Sequence, residues 1–202
     1  MDVIVKLETL RSRLIAVEPP LPLVTARSDF DLNPAHGRAD TLIPAAVLIP
    51  VVDRAEPTVL FTERSAALTR HAGQVSFPGG SADATDVSLV ATALRELKEE
   101  VGIDPGFVTV AGFLEPNETV TGFAVLPVVG LVSEGCALAP DAREVEAVFE
   151  VPLHFLLDPA NCAEETQKWN GVERRFYAFR YEGHTIWGAT AAILKALAER
   201  LR

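Results

Sequence analysis

Three glutamates lie close together in the stretch ALRELKEEVGI, which runs from Ala93 to Ile103. Glu96, Glu99 and Glu100 are spaced i, i+3 and i+4, so an α-helix would bring their side chains together, although like charges at these spacings repel one another. They also stand near the carboxyl end of the helix, where the helix dipole disfavours acids. Oxygen ligands gathered in this way suit a hard divalent cation such as magnesium. A solvated acidic face is the alternative interpretation.

The helix that must carry these glutamates is predicted over about residues 87–101. Asp86 or Ser88 can cap its start, and Gly102 can end it. An apolar stripe adjoins the acidic patch, which predicts that the helix packs against the core and presents the glutamates rigidly. The stripe consists of Val90, Leu94, Leu97 and Val101.

Apolar runs bounded by turn residues predict strands on either side of this helix. The continuous apolar run at 45–52 is typical of a strand buried on both faces. The order of strands, helix, strands and helix predicts an α/β sandwich with helices on both sides of a sheet. Further segments are strands at 58–65, 107–115 and 120–132, a strand entering a short helix at 145–157, a hairpin at 174–187 and a closing helix at 189–202.

Composition narrows the class of protein. A chain of 202 residues is long enough for one domain with a sizeable core. Its net charge of -10 does not favour nucleic-acid binding, which needs a basic face. No apolar run reaches the roughly 18 residues of a membrane span, and the charged start does not resemble a secretory signal. Cys136 and Cys162 match neither a disulfide framework nor a zinc site. We expect a cytoplasmic protein, and a homodimer is compatible with the sequence.

A longer pattern contains the glutamates. Gly80 stands five residues before Asp86, which stands eight residues before RELKEEVGI. This arrangement resembles the Nudix box, Gly-x5-Glu-x7-Arg-Glu-U-x-Glu-Glu-x-Gly-U, where U is aliphatic. The second half matches at every fixed position, whereas the first half has Asp86 in place of glutamate and a spacer one residue longer. Asp86 is therefore either a member of the site or a plain helix cap. The matching positions are Arg95, Glu96, Leu97, Glu99, Glu100, Gly102 and Ile103.

The two departures from the usual box occur in one branch of the family, the coenzyme A diphosphatases. The stretch LFTERSAALTRHAGQVSFPGGSADATD at 60–86 resembles that branch. The resemblance extends over roughly residues 45–200 and implies a Nudix α/β/α sandwich with a mixed sheet. It implies a Nudix hydrolase domain over 41–202, after an N-terminal helix and lead-in at 1–40. The implied reaction is hydrolysis of the diphosphate bond of coenzyme A or its derivatives to adenosine 3',5'-bisphosphate and 4'-phosphopantetheine. The positions shared with the branch are Arg64, Ser65, Arg70, His71, Gly73, Gln74, Phe77, Pro78, Gly79, Gly80 and Asp86.

The resemblance also implies roles for particular residues. The three glutamates, with the carbonyl of Gly80 or its neighbour Gly79, are expected to hold Mg²⁺ or Mn²⁺. Arg95 is expected to orient a neighbouring glutamate, with a plain surface ion pair as the alternative. Glu99 and an acid from a later loop are the expected catalytic acids. That later acid is predicted to be Glu144, with Glu146 and Glu115 as alternatives.

The segment before the box is expected to bind the substrate. Arg64, Arg70 and His71 are local cations for phosphate groups in an acidic chain, and Gln74 is placed on the same cleft. For His71, a role in stabilising the turn is equally open. A second candidate activity is hydrolysis of another nucleotide, such as ADP-ribose or a dinucleotide. A non-catalytic Nudix-fold binding module is disfavoured, because such modules lose box carboxylates that this chain retains.

Overall fold

The computed structural model describes residues 7–34, 39–69, 71–169 and 171–202. A central mixed sheet, a smaller antiparallel sheet and flanking helices make up this part of the chain. In chain order the elements are α1 (Leu7–Arg13), β1 (Arg27–Ser28), β2 (Ile43–Val52), β3 (Thr58–Arg64), β4 (Val75–Ser76), β5 (Gly79–Ser81), α2 (Leu89–Val101), β6 (Val108–Phe113), β7 (Asn117–Glu118), β8 (Phe123–Val132), β9 (Val145–Pro152), α3 (Leu153–Leu157), β10 (Ala163–Trp169), β11 (Val172–Tyr181), β12 (His184–Trp187) and α4 (Gly188–Leu201).

The central sheet has the strand order β1-β7-β8-β2-β3-β4, with β5 paired to β2, β6 to β8 and β9 to β3. Strands β2 and β8 run parallel along their whole length. Strand β3 is antiparallel to both β2 and β9. The predicted mixed sheet is therefore confirmed, and its middle is the apolar run that the sequence placed on a strand buried from both sides.

Two separate cores lie on the two faces of this sheet. Leu48 of β2 belongs to the same core as Leu97 of α2. The next residue, Ile49, belongs to the other core, with Leu194 of α4. Successive side chains of a strand point to opposite faces, so β2 is covered by a helix layer on each side. The predicted α/β/α sandwich is confirmed, and burial of each such leucine contributes about 1.5–3 kcal/mol.

Helix α2 begins two residues later than predicted, at Leu89. Of the two candidate caps, Ser88 is the one used, because its Oγ accepts a hydrogen bond of 3.2 Å from the backbone N–H of Ala91. Gly102 ends the helix with a φ of 79°, a left-handed conformation that glycine adopts at low cost. The box glutamates therefore occupy the last turns of a helix that is fixed at both ends.

The predicted hairpin at 174–187 is part of a three-stranded sheet, β10-β11-β12. The sequence prediction missed β10, which pairs antiparallel with β11. The signal that could have found it is the Asn170-Gly171 dipeptide, which is typical of tight hairpin turns.

The N-terminal lead-in packs onto the sandwich. Ile15 pairs with Phe113 through two backbone hydrogen bonds of 3.0 and 2.9 Å. The carboxylate of Glu18 accepts a hydrogen bond of 2.8 Å from the backbone N–H of Leu89, at the start of α2. In the described part of the chain, no helix is long and apolar enough to cross a membrane.

Candidate active site

Arg95 joins the acidic face of α2 to the loop that precedes it. Its Nη1 donates to Oε1 of Glu96 at 2.7 Å and to Oε2 of Glu99 at 3.0 Å. Its Nε and Nη2 donate to the carboxylate of Asp86 at 3.1 and 2.9 Å, and Nη2 also donates to the carbonyl of Ser81 at 3.2 Å. One guanidinium therefore holds three carboxylates in fixed relative positions.

Asp86 is a partner of Arg95 and not the helix cap. The hydrogen bonds from Arg95 hold the pKa of Asp86 well below its usual range. Its Oδ2 also accepts from the hydroxyl of Thr92 at 2.9 Å and from the backbone N–H of Asp83 at 2.9 Å. The shorter acid and the longer spacer of this sequence thus still bring a carboxylate to the guanidinium.

Glu100 is the most deeply buried of the box glutamates, with a relative exposure of 3%. Burial raises its pKa to about 8, and the charges of Glu96 and Glu144 act in the same direction. The guanidinium of Arg64 opposes this shift, with Nη1 at 3.7 Å from Oε1 of Glu100. Oε2 of Glu100 is buried and has no hydrogen-bond partner among the described residues.

Glu96 lies one helical turn before Glu100, against Gly80 of β5. Burial raises its pKa, although the hydrogen bond from Arg95 opposes the shift. A side chain at position 80 would overlap the Glu96 carboxylate, and one at position 79 would overlap the backbone of β2. The two glycines are therefore required because β5 lies very close to β2 at Gly79 and to the Glu96 carboxylate at Gly80.

The acid from a later loop that comes nearest to this group is Glu144. It is exposed at the start of β9, and its charge raises the pKa of both Glu96 and Glu100. Its carbonyl accepts a hydrogen bond of 2.8 Å from the backbone N–H of Ser65, which fixes the loop. Glu115 lies elsewhere, in an ion pair with Arg200.

Glu146, the remaining alternative for the later acid, is an exposed residue within β9. Glu99 is the most exposed of the three box glutamates, with 59% of its side chain accessible, and it is held by Arg95.

The predicted substrate-binding residues divide into two groups. Arg64 reaches the carboxylates, as described above. His71 and Gln74 instead bind each other, with Nδ1 of His71 2.9 Å from Oε1 of Gln74. His71 is exposed and has a φ of 57°, which fits the alternative that it stabilises the turn. Arg70 lies outside the described residues.

The carboxylates fit a divalent cation by their chemistry. A buried carboxylate oxygen without a partner is costly, and the neighbouring negative charges add repulsion that a cation would remove. In the described residues, no three acidic, histidine or cysteine side chains are already grouped around one point. Bonds to Arg95 hold Glu96 and Glu99, so a complete set of ligands requires side-chain adjustment.

Two surface cavities, of about 260 and 120 Å³, lie away from this site. The first is lined by residues of α3, α4 and β11, and the second includes Cys136 and Leu138. None of the predicted site residues lines either of them. A substrate at the carboxylates would therefore bind on a surface outside these two cavities.

Comparison with known proteins agrees with the geometry. A family model described as the NUDIX domain matches residues 42–177. The chain is 47% identical over 157 residues to the uncharacterized Nudix hydrolase NudL of Yersinia enterocolitica, covering 78% of this chain and 80% of that protein. It is 43% identical over 173 residues to NudL of Yersinia pestis, covering 86% and 87%.

The fold has a counterpart among solved structures. A protein from Deinococcus radiodurans matches 80% of this chain and 87% of its own chain, with a TM-score of 0.50 and 10% sequence identity. At this identity the likeness supports the fold alone. The match of the family model and the identity to the two NudL proteins go further, and they show that the chain belongs to the Nudix hydrolase family.

Proposed function

We propose that the protein hydrolyses the diphosphate bond of coenzyme A and its derivatives, releasing adenosine 3',5'-bisphosphate and 4'-phosphopantetheine or its acylated form. The observation that carries the hydrolytic part is the buried carboxylate of Glu100, which lies among other acids and has one oxygen without a partner in the part of the chain that the structure describes. The choice of coenzyme A is supported by the stretch at 60–86, which resembles the coenzyme A branch of the family.

Divalent metal ions are generally used by Nudix hydrolases, and Mg²⁺ or Mn²⁺ is the proposed cofactor. Glu96 and Glu100 would hold the ion, with Glu99 and the carbonyl of Gly80 as further oxygen ligands. Such an ion neutralises phosphate oxygens and lowers the pKa of a bound water. Asp86 and Arg95 would keep Glu96 in place. Arg95 donates hydrogen bonds to both Glu96 and Asp86, and the hydroxyl of Thr92 in turn donates to Asp86.

Glu144 is the proposed general base. It is exposed beside Glu96 and Glu100, whereas the other candidate, Glu99, already accepts a hydrogen bond from Arg95. The attacking water forms a bond to one phosphorus of the diphosphate and gives its proton to the base. The bridging P–O bond breaks, and its electrons leave with the second phosphate group.

The acidic chain needs local cations to hold a substrate with several phosphates. Arg64 stands at the carboxylates, and Arg70 and His71 follow it in the sequence. Arginine binds phosphate through two parallel hydrogen bonds, which adds direction to the charge attraction.

Cys136 and Cys162 are free thiols, which supports a reducing compartment such as the cytoplasm.

A panel of diphosphates, with the products identified by mass, tests this function. Coenzyme A is expected to show a higher kcat/KM than dephospho-coenzyme A, ADP-ribose or diadenosine polyphosphates. Arg70→Ala should reduce cleavage of coenzyme A more than cleavage of ADP-ribose. If ADP-ribose is the better substrate, the coenzyme A assignment is wrong. If no diphosphate is cleaved with any metal, the hydrolytic assignment is wrong as well.

A further inference from the structure

Arg64 and Glu100 form a contact in which neither side chain is fully satisfied. Nη1 of Arg64 is 3.7 Å from Oε1 of Glu100, with 26% and 4% of the two side chains exposed. Nε of Arg64 and Oε2 of Glu100 are both buried without a hydrogen-bond partner among the described residues. Among the described residues, one nitrogen of the guanidinium thus lacks an acceptor and one oxygen of the facing carboxylate lacks a donor, so each group retains the capacity to bind something else.

Other arginines in the same fold are bound far more completely. Arg54 donates to both oxygens of Glu150, at 2.7 and 2.6 Å. Arg95 donates to three carboxylates and a carbonyl. The longer contact of Arg64 therefore does not reflect how this chain normally pairs an arginine with an acid. It is a weak ion pair in a place where burial makes strong pairing favourable.

The backbone on either side of Arg64 is fixed, so only its side chain is free to change partner. The backbone N–H of Arg64 donates to the carbonyl of Gln74 at 2.9 Å, and its carbonyl accepts from the N–H of Gly73 at 3.0 Å. Rotation about the side-chain bonds would move the guanidinium away from Glu100 without disturbing β3 or the loop that follows.

We propose that Arg64 is an exchangeable counter-ion of Glu100. Its guanidinium balances the carboxylate when no metal is bound, and it turns to a phosphate of the substrate when a divalent cation takes its place. The inference rests on the metal site of the proposed function. In addition, the metal ion and the anionic substrate would bind cooperatively, because the ion displaces Arg64 from Glu100 and leaves the guanidinium available to a phosphate of the substrate.

The exchange has a consequence for metal binding alone. A guanidinium beside Glu100 repels an incoming cation and must be displaced, so Arg64 lowers the affinity for the metal in the absence of substrate. The same arginine raises the affinity for substrate once the metal is present. Removal of its charge should therefore change the two affinities in opposite directions, whereas local misfolding would weaken both.

The test is calorimetric titration of Mg²⁺ into the substrate-free wild-type protein and Arg64→Met. The titrations are run above the pKa of Glu100, about 8, so that protonation of this carboxyl does not mask the change. Arg64→Met should bind Mg²⁺ more tightly by about 5- to 10-fold, a coupling at the lower end of the usual range between linked sites. Arg180→Met is the matched control, because it removes the same charge from the exposed pair with Glu165. It should bind Mg²⁺ within about 2-fold of wild type.

The second measurement is the KM for coenzyme A at saturating Mg²⁺, which should rise about 10-fold in Arg64→Met, as expected for loss of a charge-assisted phosphate contact. Unchanged or weaker binding of Mg²⁺ in this variant would overturn the exchange. Glu100→Gln separates this failure from failure of the metal site. If that variant loses Mg²⁺ binding while Arg64→Met does not gain it, only the exchange is wrong. If Glu100→Gln binds Mg²⁺ normally, the proposed metal site is wrong too.

Discussion

The hairpin β10–β11 and the acidic face of α2 use the same types of residue in opposite ways. On the hairpin, Arg180 donates to Glu165 at 2.9 Å and lowers the pKa of that carboxyl. Arg175 donates to Glu164 at 2.7 Å. On α2, Glu100 is buried, its pKa is raised to about 8 and one of its oxygens has no partner among the described residues.

The difference separates acids that are paired on the surface from an acid that is buried with incomplete pairing. Exposed pairs like those of Arg180 with Glu165 and Arg175 with Glu164 contribute about 0–1 kcal/mol each. A buried carboxylate without full pairing opposes folding and is tolerated where another requirement keeps it. The proposed divalent cation would be such a requirement, because it would give the unpartnered oxygen of Glu100 a ligand.

The largest effect expected from this comparison is that of Glu100→Gln. Loss of one metal ligand should reduce kcat at saturating Mg²⁺ by about 100-fold or more, since the ion supplies both charge neutralisation and the activated water. Glu165→Gln removes one negative charge from the hairpin and should leave kcat unchanged within about 2-fold. If kcat for the same diphosphate falls by a similar factor in both variants, the α2 carboxylate and the hairpin carboxylate do not differ in their importance for catalysis.

Asp86→Asn should have an intermediate effect. Asp86 is not one of the proposed metal ligands, but it accepts two hydrogen bonds from the guanidinium that holds Glu96 and Glu99. We expect kcat to fall about 10-fold, with a smaller change in KM, because a neutral amide orients Arg95 less firmly. Asp86→Glu should recover part of the loss. A normal kcat in Asp86→Asn would show that Arg95 keeps its position without this partner.

The smallest effect concerns stability in acid. The pKa of Asp86 is lowered in the folded protein by its bonds to Arg95, so its contribution is complete above about pH 4, the ordinary aspartate pKa. The contribution is lost as the pH falls towards the lower folded-state value. At neutral pH Asp86→Asn should lower Tm by about 2–6 °C. This difference should shrink below about pH 4. If the Tm difference between wild type and Asp86→Asn stays constant as the pH falls below about 4, the effect does not depend on the charge of Asp86.

Local patterns in the sequence were sufficient for the sandwich and for the acidic helix face. The continuous apolar run of β2 and the i, i+3, i+4 spacing of the glutamates depend only on neighbouring residues, so the element types are readable. The spacing also identified Glu96 and Glu100 as close neighbours. The strand β10 was missed because its sequence, AEETQKW, is polar and lacks the apolar run expected of a strand.

Local sequence patterns could not predict contacts between elements that are far apart in the chain. That Arg64 at the end of β3 lies against Glu100 of α2 depends on how the strand and the helix pack, and no local rule predicts it. The role of Asp86 is similar, because capping and binding Arg95 are both compatible with its position before the helix. Only the hydrogen bonds of Ser88 and Arg95 distinguish the two.

The central claim is that the carboxylates of α2 hold a divalent cation, and anomalous diffraction tests it most directly. Crystals of the wild-type protein grown with Mn²⁺ should show an anomalous peak within about 2.0–2.4 Å of carboxylate oxygens of Glu96 and Glu100, the usual range of such metal–oxygen bonds. Crystals of Glu100→Gln grown in the same way should lose that peak. A manganese ion bound only at other carboxylates, such as those of the hairpin, would contradict the account.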